Sequence, residues 1–372
     1  MPYRHVYVHV PFCARRCSYC DFAIAVRART PVDEYVRALE AEITLRVASR
    51  ASTPLDTLYC GGGTPSRLGV DGVARLMDSL RRTFALADDS EVTLEANPDD
   101  ITPGVVRAWR AAGVNRVSLG VQSFDPAVLS WMHRTHDVAD VRRAAAVLGD
   151  EGIENWSLDL IYALPPEVAR DWTRDLSEAA ALSPPHVSAY GLTIEAGTPL
   201  ARWRSRGEVS EAEEERYESD FILAHDVLAS AGYEHYEVSN FARPGWRARH
   251  NSAYWRGVSY LGIGPGAHGF DRAERRWNER EYVAWRERIA SGTDPLGGSE
   301  RLTPAQEELE RVYVGLRTME GTPVLRDDAP IVERWVAAGW GLVDNGRLKL
   351  TPMGWLRLDA LVTALTEHRS RL

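Results

Sequence analysis

Apolar positions in the first half of the chain follow two alternating periods. Short β-branched runs at 5–10, 55–60, 91–96, 116–121, 156–161 and 186–194 end in polar or glycine-rich turns. Helical patterns follow near 33–48, 70–83, 103–112, 138–149 and 168–182. In the first of these, Val36, Leu39, Ile43 and Val47 share one face, and Thr30-Pro31 offers a cap with an early proline. Strand–helix alternation over about 200 residues predicts a parallel α/β sheet, open or closed.

The second half changes character. Residues 211–231 predict an amphipathic helix with Tyr217, Phe221, Ala224 and Leu228 as its buried stripe and a glutamate run on its solvated N-terminal face. A short strand and turn (235–245) follows, and residues 246–270 then mix Arg, His, Asn, Trp and Gly. The run SGTDPLGG (291–298) reads as a linker. Residues 303–372 predict a small helical unit with a hairpin turned by Asn345-Gly346, an order similar to a winged helix. The expected organisation is therefore an α/β unit over 1–235, a connecting segment over 236–298 and a C-terminal unit over 299–372.

Polar residues gather at one end of the expected strands. A cysteine-rich loop follows the first, and Gly61-Gly62-Gly63-Thr64 follows the second. Glu95 ends the third, Gln122 ends the fourth, and Asp159 lies on the fifth. In α/β barrels the active site is built at the C-terminal ends of the strands, so successive units carrying such residues favour one shared site.

A 372-residue chain that is 44% hydrophobic and 26% charged is ordinary for a folded protein with a sizeable core. A net charge of −9 argues against broad nucleic-acid binding, and nothing in the C-terminal unit suggests DNA. No apolar run reaches membrane-spanning length, and the N-terminus lacks a signal-peptide pattern, so a cytoplasmic location is expected. Of the four cysteines, Cys13, Cys17 and Cys20 are spaced C-x3-C-x2-C, which points to a metal or redox site rather than a disulfide framework. Three thiolates can hold three irons of a four-iron cube and leave the fourth iron open. Arg15 and Arg16 would favour the thiolate forms. Two alternatives stay open here: zinc with His9 as a fourth ligand, and Cys60 as a fourth cysteine ligand, although its apolar strand suits a buried small residue better.

The C-x3-C-x2-C loop after the first strand, with Gly-Gly-Gly-Thr-Pro after the second, resembles the radical S-adenosylmethionine (SAM) superfamily. In that family the open iron chelates the amino and carboxylate groups of SAM, and the reduced cluster can cleave SAM to methionine and a 5′-deoxyadenosyl radical. The resemblance implies a partial (β/α)6 barrel, a [4Fe–4S] cluster and SAM. The segments YVHVPFC, LYCGGGTPS, LEANP, RVSLGVQSF, LDLIYALP and HNSAYW further resemble the oxygen-independent coproporphyrinogen III oxidase family, and within it the HemW branch of heme chaperones. The decarboxylating oxidases carry a further cysteine two positions after the third, where this chain has Phe22, and a longer N-terminal arm.

Carried over motif by motif, the resemblance assigns the cluster to Cys13, Cys17 and Cys20. Tyr7, His9 and Tyr19 would surround SAM and the cluster. Gly62, Gly63 and Thr64 would present N–H groups and a hydroxyl to the SAM amino acid moiety. Glu95 and Gln122 would bind its ribose and nearby polar atoms, Arg134 a carboxylate, and Asp159 the ribose or adenine, with Thr193 a further contact. His133 and His136 flank Arg134 as ordinary helix-end residues. In HNSAYW, His250 would ligate heme iron, Tyr254 and Trp255 would stack on the macrocycle, and Arg247 or Arg249 would pair with propionates. His268 is a second candidate for heme or SAM.

The expected function is that of a heme chaperone delivering heme to apo-hemoproteins. Respiratory enzymes at the membrane are candidate recipients, and peripheral membrane association and a homodimer are further expectations. The alternatives are an oxygen-independent coproporphyrinogen III oxidase and a radical SAM enzyme acting on another substrate.

Overall fold

The computed structural model describes residues 3–47 and 51–371. Six parallel strands stand side by side in chain order: β1 (His5–Val10), β2 (Ala51–Gly62), β3 (Phe84–Ala96), β4 (Arg116–Gln122), β5 (Asn155–Tyr162) and β6 (His186–Gly191). The crossover helices are α1 (Val32–Arg46), α2 (Gly69–Thr83), α3 (Pro103–Ala111), α4 (Val138–Asp150) and α5 (Trp172–Leu182). This is the parallel α/β sheet the alternation predicts, and it is open, with an edge strand at each end. The helix expected at 33–48 ends at Arg46, and its last expected residue lies outside the described residues.

Strand periodicity sorts the side chains. In β1, Val6, Val8 and Val10 are fully buried in the apolar core, while Tyr7 and His9 face the inside of the curved sheet. The register then stacks polar residues on that inner face. Tyr7 lies beside Tyr59, Glu95 beside Ser118, Ser118 beside Ser157, and Asp159 beside Ser188. The helices cover the outer face with apolar stripes such as Tyr35, Val36, Leu39 and Ile43 of α1. Local caps fix their starts: Thr102 accepts from Val105 N, and Asp137 and Asp140 close a capping box on α4.

The next helix, α6 (Glu214–Ser230), buries Phe221, Ala224 and Leu228 as expected. Tyr217 does not complete the stripe. It is 38% exposed because it turns toward the end of β6, where a Cβ on Gly191 would meet its ring 2.4 Å away.

The segment 236–298 contributes to the sheet itself. At one edge β8 (Asn240–Ala242) pairs antiparallel with β6, and β7 (Glu234–Glu237) pairs antiparallel with β8. After α7 (Arg249–Trp255), β9 (Leu261–Ile263) runs parallel to β1 at the other edge. A separate sheet of β10 (His268–Asp271), β11 (Glu274–Asn278) and β12 (Leu296–Arg301) follows, with α8 (Tyr282–Ala290) between its last two strands. The expected linker at 291–298 is thus corrected, because its end is the start of β12. Gly297 and Gly298 are packing glycines: a Cβ would lie 2.9 Å from the Asn278 backbone in one case and 2.4 Å from the Trp277 ring in the other.

The C-terminal unit comprises α9 (Pro304–Leu316), β13 (Thr322–Pro323), α10 (Ala329–Ala337), β14 (Gly341–Asp344), β15 (Arg347–Leu350) and α11 (Leu358–Ser370). Asn345 (φ 51°) and Gly346 (φ 73°) turn the hairpin with two positive φ angles, as an Asn-Gly turn should. Arg317 joins this unit to the rest through a 3.0 Å ion pair with buried Glu237 and by lying 4.2 Å over the Trp255 ring.

Candidate functional site

The cysteine loop leaves β1 at the C-terminal end of the sheet and meets the glycine turn after β2. Gly63 N donates to Val10 O at 2.8 Å, and Ala25 N to Pro11 O at 2.7 Å. A Cβ on Gly63 would lie 2.7 Å from the Pro11 carbonyl group and 3.0 Å from Cys13 Sγ. Gly62 has φ +119°, and a Cβ there would meet the His9 ring at 2.5 Å. Both positions therefore require glycine. Thr64 Oγ1 stands 3.5 Å from Cys13 Sγ. Gly62 N donates to Glu95 Oε2 at 2.9 Å, so the N–H groups of Gly62 and Gly63 are already engaged. Here the expectation of free N–H donors is corrected: the turn offers a hydroxyl, carbonyl groups and close backbone approach.

All three loop thiols line one cavity of about 390 Å3 at the strand ends. Burial pushes the Cys20 thiol up to about 12 and raises that of Cys13. Arg15 and Arg16 are exposed, with Arg15 on the same cavity, and the cation in contact with a loop thiol is Arg134, whose Nη1 lies 3.3 Å from Cys17 Sγ. Its Nη2 donates to Asn97 Oδ1 and Gly120 O, both at 2.7 Å, while its Nε is buried without a partner among the described residues. Burial opposes the charge on Arg134, and Tyr19 and Cys17 more than offset this. Cys60 faces the apolar core on the other side of β2, fully buried and away from the loop.

The remaining predicted SAM residues converge on this cavity. Tyr19, Gly62, Gly63, Thr64, Glu95, Gln122, Arg134, Asp159 and Thr193 all line it. Tyr59 donates to Glu95 Oε1 at 2.7 Å. Burial nevertheless lifts the Glu95 carboxyl to about 7. Ser118 Oγ lies 3.1 Å from Asp159 Oδ2, and burial raises Asp159 as well. Gln122 has φ 72°, a strained conformation held at the mouth of the site. Sequence reasoning missed Asn97, Arg116, Ser118, Ser157, Tyr190 and Asn251, which also line the cavity. The isolated serines and arginine at every second position of apolar strands were the available signal.

Tyr7 and His9 lie instead on a second, neighbouring cavity of about 700 Å3. His9 Nε2 donates to Ala23 O at 2.8 Å, and its Nδ1 accepts from Tyr7 Oη at 3.0 Å. With burial holding its pKa down near 4 and both nitrogens engaged, His9 offers no lone pair to a zinc ion. Asp21, Phe22, Gly62 and Glu95 border both cavities, and Phe22 is 61% exposed.

HNSAYW forms α7 beneath the strand interior. Glu91 accepts from the N–H groups of Arg249 and His250 at 3.0 and 2.9 Å. His250 is 1% exposed, with Nδ1 2.7 Å from Thr57 Oγ1 and Nε2 2.7 Å from Tyr254 Oη, and it stacks on Tyr59. Trp255 packs under Arg317, away from both cavities. The expected propionate partners are engaged elsewhere: Arg247 pairs with Glu234 at 3.0 Å and Arg249 with Asp89 at 3.4 Å. Tyr254 does reach the second cavity, and so does His268.

A three-cysteine loop held against a glycine turn at the mouth of a parallel sheet is the architecture of a radical SAM protein. The model of the Radical SAM superfamily matches residues 7–179. The coproporphyrinogen III oxidase HemN of Escherichia coli, a radical SAM enzyme, superposes with a TM-score of 0.81 over 98% of this chain and 91% of that one; at 24% identity this likeness concerns the fold. Heme chaperone HemW of Mycobacterium tuberculosis is 41% identical over 97% of this chain and 94% of its own length. Heme chaperone HemW of Synechocystis is 37% identical over 85% of this chain and 78% of its own length. The chain belongs to the HemW family.

The radical SAM family implies a [4Fe–4S] cluster and SAM. The residues present fit them: three thiols on one cavity, a glycine turn that only glycine can make, and a buried guanidinium with an unpartnered Nε beside Cys17.

Proposed function

We propose that the chain is a heme chaperone that binds heme and delivers it to apo-hemoproteins, with Cys13, Cys17 and Cys20 holding the cluster and SAM in the first cavity. The carrying observation is identity of 41% along nearly the whole chain to a heme chaperone of the same family. A bound cluster supplies an open iron that takes the SAM amino acid group. Thr64 and the carbonyls of the glycine turn would meet the SAM ammonium, and Arg134 Nε its carboxylate. Glu95, Gln122 and Asp159 would fix the ribose and adenine, with Tyr19 and Thr193 closing the site. Phe22 supports a chaperone over a decarboxylating oxidase, since it stands where the oxidase loop carries a further cysteine.

Respiratory hemoproteins at the membrane are the proposed recipients, reached by a cytoplasmic protein that docks peripherally, as a homodimer in one arrangement. No described helix is long and apolar enough to cross a membrane. The proposed units remain 1–235, 236–298 and 299–372.

The test is anaerobic cluster reconstitution, heme titration at the Soret band, and mixing of the loaded protein with an apo-cytochrome. Saturable binding followed by transfer is expected. Conversion of coproporphyrinogen III to protoporphyrinogen IX would overturn the proposal in favour of the oxidase.

A further inference from the structure

The segment from Gln122 to Arg134 carries two side chains of the first cavity along an irregular path. Pairing of β4 with β5 shifts register between Leu119 and Gln122, and Gln122 has φ 72°, in the left-handed region that a non-glycine residue seldom adopts. The chain then leaves the sheet, forms a short helix (Pro126–Trp131) and returns with Arg134 beside Cys17. A Cβ on Gly120 would lie 3.2 Å from both Gln122 Nε2 and Arg134 Nη2, so the amide and the guanidinium share the space over one glycine. His136 Nε2 donates to Val121 O at 3.0 Å and ties the far end of the segment back to β4.

The near end is held from behind the site. Asp175 of α5 is 1% exposed and lines neither cavity. Its Oδ1 accepts from Phe124 N at 2.8 Å, and its Oδ2 accepts from Ser123 Oγ at 2.7 Å and from Arg170 Nε at 2.9 Å. Ser123 Oγ accepts in turn from Asp125 N at 3.0 Å, and Asp125 starts the short helix by accepting from Ala127 N at 2.8 Å. One buried carboxylate thus orders the three residues that follow Gln122. Its partner is fixed as firmly: the Arg170 side chain is fully buried, donates to Ile161 O and lies 4.2 Å over the Trp172 ring. Asp175 is not needed as a helix cap, because Asp171 caps α5 by accepting from Arg174 N at 3.0 Å.

We propose that Asp175, with Arg170 as its counter-charge, is a positioning residue for the SAM site: it holds Gln122 in its left-handed conformation and sets the path that returns Arg134 to the cysteine loop. The inference rests on the reading of the first cavity as the SAM site. Without the bonds to Ser123 and Phe124, Gln122 is free to relax toward extended backbone, which swings its amide away from Gly120. Loss of the Asp175 charge also leaves the buried Arg170 guanidinium without its ion-pair partner, so the turn loses its anchor together with its acceptor.

The test uses the anaerobic, cluster-loaded full chain titrated with SAM, read by the change SAM makes in the electron paramagnetic resonance spectrum of the reduced cluster. Asp175→Asn should weaken SAM binding by at least about tenfold and lower the cluster potential, as loss of the Arg134 contact with Cys17 would, with iron per folded chain unchanged. Ser123→Ala is the milder change, removes one hydrogen bond to Asp175, and should weaken SAM binding about threefold; it carries the test if Asp175→Asn does not fold. Leu176→Ala, fully buried beside Asp175 on α5, should destabilise the protein while SAM affinity and potential stay at the parent level. Parent-level SAM affinity in the Asp175 and Ser123 variants, or an equal loss in Leu176→Ala, would overturn the inference and leave the SAM reading standing. A parent protein that binds no SAM would overturn both.

Discussion

Replacing Gly63 by alanine tests whether the glycine turn is built around the cysteine loop. The added Cβ would sit 2.7 Å from both atoms of the Pro11 carbonyl and 3.0 Å from Cys13 Sγ. Ordinary contact starts near 3.4 Å, so backbone or thiol must give by several tenths of an ångström. Pro11 cannot retreat freely, because its carbonyl accepts from Ala25 N at 2.7 Å while Val10 O accepts from Gly63 N at 2.8 Å. Relief therefore strains the packing, at about 1–3 kcal/mol, or sacrifices a hydrogen bond worth about 1 kcal/mol. Either route shifts Cys13 relative to Cys17 and Cys20. The assay is thermal unfolding together with iron retained per chain after anaerobic reconstitution and gel filtration. Gly63→Ala should lower the melting temperature by a few degrees and reduce retained iron. Gly69→Ala is the control: its φ of +69° disfavours alanine, yet a Cβ there meets nothing within 4 Å. It should cost about 1 kcal/mol and leave the iron alone. Parent-level stability and iron in Gly63→Ala, or equal iron loss in Gly69→Ala, would refute the reasoning.

Three further outcomes follow from the same geometry. The Glu95 carboxyl rises from 4.5 to about 7 by burial, so the native state holds its proton more tightly than the unfolded chain. Its contribution to stability is then full below pH 4.5 and falls as pH rises to 7, by up to about 3 kcal/mol. Between pH 5 and 8 the parent should lose about 1–3 kcal/mol of stability relative to Glu95→Gln, measured by urea unfolding, and a pH-independent difference would count against the assignment. Arg134→Ala removes the guanidinium 3.3 Å from Cys17 and should make the cluster harder to reduce, seen as a lower potential in redox titration. Cys60→Ala should leave iron content at the parent level, since Cys60 faces the core; a loss of iron beyond any loss of folded protein would make it a ligand.

The chemistry legible in the sequence was the part carried by contiguous residues. The cysteine loop and the glycine turn each announce themselves within a few positions, and alternation of valines in β1 suffices to place Tyr7 and His9 on the inner face. Arg116, Ser118, Ser157 and Asn251 were not legible as a set, because only the sheet register and the return of α7 bring them onto the same cavity. Strand register is a long-range property, and a serine inside an apolar strand looks the same whether it faces a ligand or a neighbouring serine. The three-stranded sheet was missed for a related reason. Its strands are rich in Gly and Arg, and its glycines serve as seats for the Trp277 and Asn278 neighbourhood rather than as flexible turns.

HNSAYW shows how one composition admits two physical roles. A histidine beside aromatic residues suits an iron ligand in a macrocycle pocket. It equally suits a buried plug whose polar atoms must all be matched, and the floor contacts of His250 with Thr57, Tyr59 and Tyr254 match them. The difference lies in where the ring's lone pair goes, which residue spacing along a chain does not encode.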